Sequence, residues 1–321
     1  MPTLLVRIIK STNVRIIAVR IRAVVTAAAL LAGCATSGAS DAFLLAVPDQ
    51  PISVDDEALV REGTRYAAKG RWEDARRAFA RAVTARPDFA LAHYNLGVAL
   101  VALGRADEAV RSYEQAVRLD PLFGQALVNA GVELFKLGRP IDALRALERA
   151  TRVAPQLAAA HHNLGVVLGD LGRLDEALTA LQRAATLAPG DPANRRALAD
   201  THYNLGVSLA RQRRWSEAVA SYREASTFNP DLPEAFNGIG IALARLDQHD
   251  SARAMYEEAL RLRPHYAEAR YNLAVSQAAV GRYSDAIESC QATLRARPDL
   301  REARELLDSL QRTQSVRRRR T

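Results

Sequence analysis

A pattern of 34 residues recurs seven times between Asp56 and Leu300, and it limits the chain to a stack of similar units. Prolines mark one repeat position: Pro87, Pro121, Pro155, Pro189, Pro230, Pro264 and Pro298. Twelve residues before each proline stands an alanine, from Ala75 and Ala109 to Ala286. A further twelve residues back lies a small residue: Gly63, Gly97, Gly131, Gly165, Gly206, Gly240 and Ala274. Self-similarity at this period is the signature of a solenoid, whose core forms between neighbouring repeats.

Each repeat reads as two short helices. The first carries apolar residues at helical spacing, as in Tyr94 to Gly104. Gly70, Gly104, Gly138, Gly172 and Gly281 follow it, where a left-handed cap favours glycine. Repeats five and six have Arg213 and Asp247 there instead. The second helix opens with acids suited to a helix N-terminus, as in Asp107-Glu108, and the closing proline redirects the chain. A glycine inside a helix costs about 1 kcal/mol against alanine, so its recurrence implies close approach of the paired helix.

The run Ala92 to Pro121 (AHYNLGVALVALGRADEAVRSYEQAVRLDP) resembles the tetratricopeptide repeat. The resemblance spans about three quarters of the chain and implies an all-α, right-handed α-solenoid of seven helix pairs (56–89, 90–123, 124–157, 158–191, 199–232, 233–266 and 267–300). It further implies that the first helix of each pair lines a concave groove. Repeat seven departs from the pattern at Ala274, Gln277 and Thr293.

The phase slips by seven residues over 192–198, where Asp191 suits an N-cap and Pro192 a first helical residue. The first helix of repeat five is therefore expected to start two turns early and to run from Pro192 to Arg213. The extension either bends the solenoid, supplies a partner-specific ridge, or is a tolerated lengthening. Residues 301–312 are expected to form a capping helix with Ala303, Leu306, Leu307 and Leu310 on its apolar stripe. Residues 313–321 form a basic tail that is expected to be solvated.

The net charge of +8 is concentrated at the ends. Residues 1–33 hold five basic residues and no acid, and Arg317 to Arg320 add four, which leaves the body at −1. A near-neutral body does not offer the basic face that nucleic acid requires. At the N-terminus, Arg20 and Arg22 precede an apolar run from Ala23 to Leu31. That run falls short of the ~20 residues needed to span a bilayer and has signal-peptide length.

Leu31-Ala32-Gly33-Cys34 resembles a bacterial lipobox. The resemblance implies removal of 1–33, lipidation of Cys34, and a tether over 34–55 carrying the repeats. An ordinary signal peptide with an incidental cysteine, giving a soluble secreted protein, is the other reading. A start at Val19 would give a more usual leader. Ala35 after the cysteine implies an outer-membrane, periplasm-facing destination if the Gram-negative sorting rule applies. The other cysteine, Cys290, falls at the repeat position of Phe79, Tyr113, Leu147, Leu181, Tyr222 and Tyr256 and reads as a small core residue.

One polar stripe exceeds what packing needs. Asparagine recurs at Asn95, Asn129, Asn163, Asn204 and Asn272, with Gly238 and Arg61 in the remaining repeats. It is preceded by Tyr94, His162, Tyr203 and Tyr271 in four of them. One carboxamide offers a donor and an acceptor to a peptide unit. Similarity to peptide-binding members of the family, notably the protein O-GlcNAc transferases, implies that these residues face the groove and hold a peptide backbone. The alternative is that this asparagine serves local packing.

His93, His161 and His202 share a neighbouring position, but helices 8–10 Å apart hold equivalent residues too far apart for one metal. Gly238-Ile239-Gly240 is half of a dinucleotide fingerprint with no strand before it. No catalytic motif, cofactor or metal is expected. The chain resembles bacterial lipoproteins of the family that serve as pilotins for secretins or as adaptors for peptidoglycan hydrolases. The expected partner is a protein or peptide, with the membrane engaged through the lipid. A structural factor acting by self-association of its convex face or edges, as a homo-oligomer, is the alternative.

Overall fold

The computed structural model describes residues 54–318. The leader, Cys34 and the tether as far as residue 53 lie outside the described residues, while Val54 and Asp55, assigned to the tether, open the first helix.

Fifteen helices make up the described residues, joined by short turns. Repeat one comprises α1 (Val54–Ala68) and α2 (Trp72–Ala85), repeat two α3 (Ala90–Ala102) and α4 (Ala106–Leu119). Repeat three holds α5 (Gly124–Lys136) and α6 (Pro140–Val153), repeat four α7 (Ala158–Asp170) and α8 (Leu174–Leu187). Then follow α9 (Pro192–Arg211) with α10 (Trp215–Phe228), and α11 (Pro233–Arg245) with α12 (His249–Leu262). The last pair is α13 (Ala267–Ala279) and α14 (Tyr283–Ala296), closed by α15 (Arg301–Arg318). The chain is an all-α solenoid of helix pairs.

Two compact units divide the chain, one ending at Ala197 and the other beginning at Leu198. Within each, a helix packs mainly on its neighbours in sequence. First helices also touch first helices one repeat away, α5 on α7 and α11 on α13. Nearest-neighbour packing of this kind is what a one-dimensional repeat array requires.

The recurring glycines sit under large side chains of the paired helix. A Cβ on Gly97 would lie 2.6 Å from the Tyr113 ring, and one on Gly240 would lie 2.5 Å from the Tyr256 ring. Gly131 stands in the same relation to Leu147, with 2.7 Å to its Cγ. Repeat seven reverses the sizes: Ala274 gains the methyl and Cys290 replaces the ring, and both are fully buried. Gly238 also acquires its reason here, because a Cβ there would come within 2.8 Å of the Tyr222 ring.

The first helices end in left-handed caps. Gly104 has φ of 72°, with Arg105 N–H bonding the Leu100 carbonyl at 2.9 Å across the turn. Arg213 and Asp247 take the same conformation without glycine, at φ of 61° and 59°. The second helices open on a repeated pair three residues apart, as in Arg71 with Asp74, Arg105 with Glu108 and Arg173 with Glu176. The acid lies in the first turn, where the helix dipole favours it.

Asp191 caps α9 as its residue type suggests, its carboxylate accepting from Ala193 N–H at 2.8 Å. The helix ends at Arg211 rather than Arg213, because Arg213 supplies the left-handed cap. The terminal helix also differs from expectation. It continues past Arg312 to Arg318, held by Gln314 donating to Ser284 Oγ at 3.2 Å and by Thr313 donating to the Ser309 carbonyl.

Candidate functional site

The asparagine stripe divides according to what lies one repeat earlier. Asn129 Nδ2 donates to the Tyr94 hydroxyl at 3.2 Å, 35 residues back, and its Oδ1 accepts from Gln125 Nε2. Asn272 makes the same step, donating to Asn237 Oδ1 at 3.1 Å, and Asn237 extends the chain to the Tyr266 hydroxyl. Where the residue 35 back is apolar, the amide turns elsewhere. Asn163 faces Val128 in this register and donates instead to the Ala159 carbonyl of its own helix at 2.8 Å. Asn95 has Val60 in that place, and neither of its amide atoms has a partner among the described residues although the side chain is fully buried.

The aromatic members do not form a row of open flat surfaces. Tyr94 is buried, its ring 4.8 Å from Phe123 and 5.8 Å from Tyr113. Burial pushes its hydroxyl up to about 12, against the pull of the Asn129 hydrogen bond. Tyr203 and Tyr271 are half-buried, and burial raises both hydroxyls above their ordinary value. Tyr203 tilts against Tyr222 at 5.6 Å.

Repeat five breaks the ladder. His162 Nδ1 lies 2.7 Å from Asn194 Oδ1, a residue of the seven-residue insertion, so the histidine donates from Nδ1. Asn194 is buried, and its Nδ2 has no partner among the described residues. Burial lowers the basicity of His162, with the Asn194 hydrogen bond opposing it in part. Asn204, the stripe's own asparagine in this repeat, is exposed. Of the five, it is the one that stands open to solvent.

The shared histidine position has a structural use. His93 Nε2 donates to the Pro87 carbonyl at 2.9 Å, and His161 Nε2 donates to the Pro155 carbonyl at 3.0 Å. Arg270 and Arg304 reach the carbonyls of Pro264 and Pro298 from the same register. Each residue pins the turn that closes the preceding repeat, six residues upstream. His202 follows the insertion and stacks on Phe228 instead, with centroids 5.6 Å apart and planes at 11°. Among the described residues no group of three His, Cys, Asp or Glu is placed to hold a metal.

Sequence reasoning missed Asn194, Asn237 and Gln125, and the proline-carbonyl contacts. The signal for the latter was the six-residue interval between proline and a donor side chain, which only the turn geometry makes meaningful.

Two family profiles described as tetratricopeptide repeat match the chain, one over residues 60–122 and 237–301, the other over 156–231. Together they cover more than half of it. Among solved structures, the C-terminal part of a TPR repeat-containing protein from Cytophaga hutchinsonii is similar with a TM-score of 0.59 at 15% identity, over 77% of this chain and 99% of that one. YrrB, a TPR protein with an unusual peptide-binding site, is 24% identical with a TM-score of 0.48, over 60% of this chain and 95% of its own. No curated protein matches the chain.

Proposed function

Because the chain belongs to the tetratricopeptide repeat family, we propose that it is a non-catalytic scaffold that binds a protein or peptide and is held at the bacterial cell envelope by a lipid on Cys34. The observation that carries the binding half is Asn204. The equivalent amides are committed to repeat-to-repeat contacts, to their own helix, or to the interior. Asn204 is exposed on a helix whose extension has taken over the packing role through Asn194. Half-buried Tyr203 beside it supplies an aromatic edge, so the pair offers donor, acceptor and apolar surface to one segment of a partner. The groove is thus read as centred on repeat five rather than as a uniform ladder.

The anchoring half rests on Leu31-Ala32-Gly33-Cys34 and the apolar run before it. Ala35 directs the reading to the outer membrane, with the repeats facing the periplasm. An assembly factor or adaptor in the manner of pilotins or hydrolase adaptors fits this arrangement.

Two experiments test the two halves separately. Affinity purification from envelope extracts, followed by mass spectrometry, should lose its main partner when Asn204→Ala and Tyr203→Ala are combined; undiminished recovery sinks the groove reading. Cys34→Ala should move the protein from the membrane to the soluble fraction, and unchanged fractionation sinks the anchor.

A further inference from the structure

On the second helices of repeats one and two lies a cleft of about 370 Å³ between α2 and α4, with α3 beneath. Its floor is apolar: Ala80 and Val83 from α2, Leu96 and Leu100 from α3. Its rim is cationic: Arg76, Arg105, Arg111 and Arg118. Two of these are engaged. Arg76 donates to Glu73 at 2.7 Å, and Arg105 grips Glu108 through two contacts of 2.6 and 2.7 Å. Those hydrogen bonds hold both carboxylates below their usual range, so they stay ionised and spent on their partners. Arg111 and Arg118 are exposed and enter no ion pair among the described residues, which leaves the rim with an excess of two positive charges.

Compared across the repeats, the rim owes one of its charges to a residue uncommon at its position. At the Arg76 position five other repeats carry Val110, Leu144, Leu178, Val219 and Ile287, and repeat six carries Arg253. At the Ala80 position, repeats two, three and six carry Glu114, Glu148 and Glu257. Thus one guanidinium is gained where the pattern is mostly apolar, and the glutamate found in three other repeats is absent. Val110, Leu144 and Val219 are buried at that position in their own repeats, so Arg76 gives up apolar packing for charge.

We propose that this cleft is a second interaction surface, on the second helices rather than the first, and that it takes an acidic amphipathic segment of a protein partner. One apolar side chain fills the floor, and carboxylates on either side meet Arg111 and Arg118. Those two residues are seven apart on α4, hence roughly 10 Å along the helix axis. Guanidinium groups pair with carboxylates in fixed planar geometry, which suits side-chain acids on a peptide. An anionic bilayer fits worse. It would also meet the exposed Glu114 on the same helix, together with Asp74 and Asp107 at the starts of α2 and α4.

The test uses the full chain and a short fluorescein-labelled peptide in which a leucine is flanked by glutamates. A twin with lysines for glutamates and phosphatidylglycerol vesicles are the controls. Anisotropy should show binding of the acidic peptide that weakens with salt and falls roughly tenfold or more in Arg111→Glu/Arg118→Glu. The variant's circular dichroism should be unchanged, since both side chains are exposed. Asn204→Ala should bind the acidic peptide as the parent does, which separates this surface from the groove. Equal binding of the lysine twin, equal binding by the double variant, or binding of vesicles alone overturns the proposal.

Discussion

Asn129 Nδ2 and the Tyr94 hydroxyl, 35 residues apart in sequence, meet at 3.2 Å and tie the first helix of one repeat to the first helix of the next. Asn272 and Asn237 repeat the step in the other unit. Truncating Asn129 leaves the phenol of a buried tyrosine without its donor, which typically costs 1–3 kcal/mol. Asn129→Ala is therefore expected to destabilise by an amount in that range, read from the urea midpoint and the slope of the transition. Asn204→Ala, on an exposed side chain, should change stability by no more than about 0.5 kcal/mol. Equal effects from the two would mean that the Tyr94 contact contributes nothing.

The Gly240–Tyr256 contact predicts a coupling that repeat seven has already tried. A methyl on Gly240 would lie 2.5 Å from the Tyr256 ring, so Gly240→Ala should destabilise by about 1–3 kcal/mol through overpacking. Tyr256→Cys alone removes a buried ring and should cost about 3–5 kcal/mol. Together they recreate the native Ala274–Cys290 pair, and the methyl then occupies space the ring has left. The double variant should be less destabilised than the sum, with a coupling of about 0.5–3 kcal/mol from a denaturation cycle. Strict additivity would rule out the steric account of the glycines.

Glycines, alanines and prolines were legible because one period exposes them six or seven times over, and each has a local steric reason. Gly97 needed only Tyr113, at a constant offset in every repeat. The fate of the asparagines was not legible at the same level. Whether Asn129 or Asn163 bonds outward depends on Tyr94 or Val128 in the preceding repeat, so the informative pair spans two repeats. Asn194 was hidden for a different reason: the insertion has no counterpart in other repeats, so periodicity says nothing of it. His93 and His161 share a recurring position too widely spaced for one metal, and only the turn at each proline shows their use, donating to the proline carbonyl.

Arg213 and Asp247 hold left-handed backbone where five other repeats use glycine. A side chain in that conformation costs on the order of 1–2 kcal/mol, offset in part by the greater freedom glycine has when unfolded. Arg213→Gly and Asp247→Gly should each stabilise the protein by roughly 0.5–1 kcal/mol. Differential scanning calorimetry would show a rise in Tm for each; a fall would place the strain elsewhere.

His162 predicts a pH dependence with a definite sign. Burial holds its basicity below the ordinary histidine value, so the folded protein keeps it neutral where the unfolded chain would protonate. Stability from this residue is complete above the unfolded value of about 6.5 and declines as pH falls below it. His202, also lowered by burial, acts in the same direction. Denaturation midpoints should therefore drop between pH 7.5 and pH 5, and His162→Gln should shrink the drop while sparing the midpoint at pH 5 most. A variant with the parent's full pH dependence would exclude His162 as a source.

Cys290 offers a direct readout of whether the last repeat is closed. Its thiol is fully buried beneath Ala274, and burial pushes its pKa up to about 12. At pH 8 an ordinary thiol near 8.5 is partly ionised, whereas this one would be thiolate at a level roughly three orders of magnitude lower. In a Cys34→Ala background, where Cys290 is the single remaining thiol, reaction with dithionitrobenzoate should be correspondingly slow in buffer and fast in guanidinium. The same slow rate then reports opening of the α13–α14 pair, because disulfide exchange requires exposure of the thiol. Truncating Leu306→Ala on α15, a residue buried in the same cluster, should accelerate labelling well before global unfolding. Rapid native labelling of the parent would mean that α15 does not seal the end of the array.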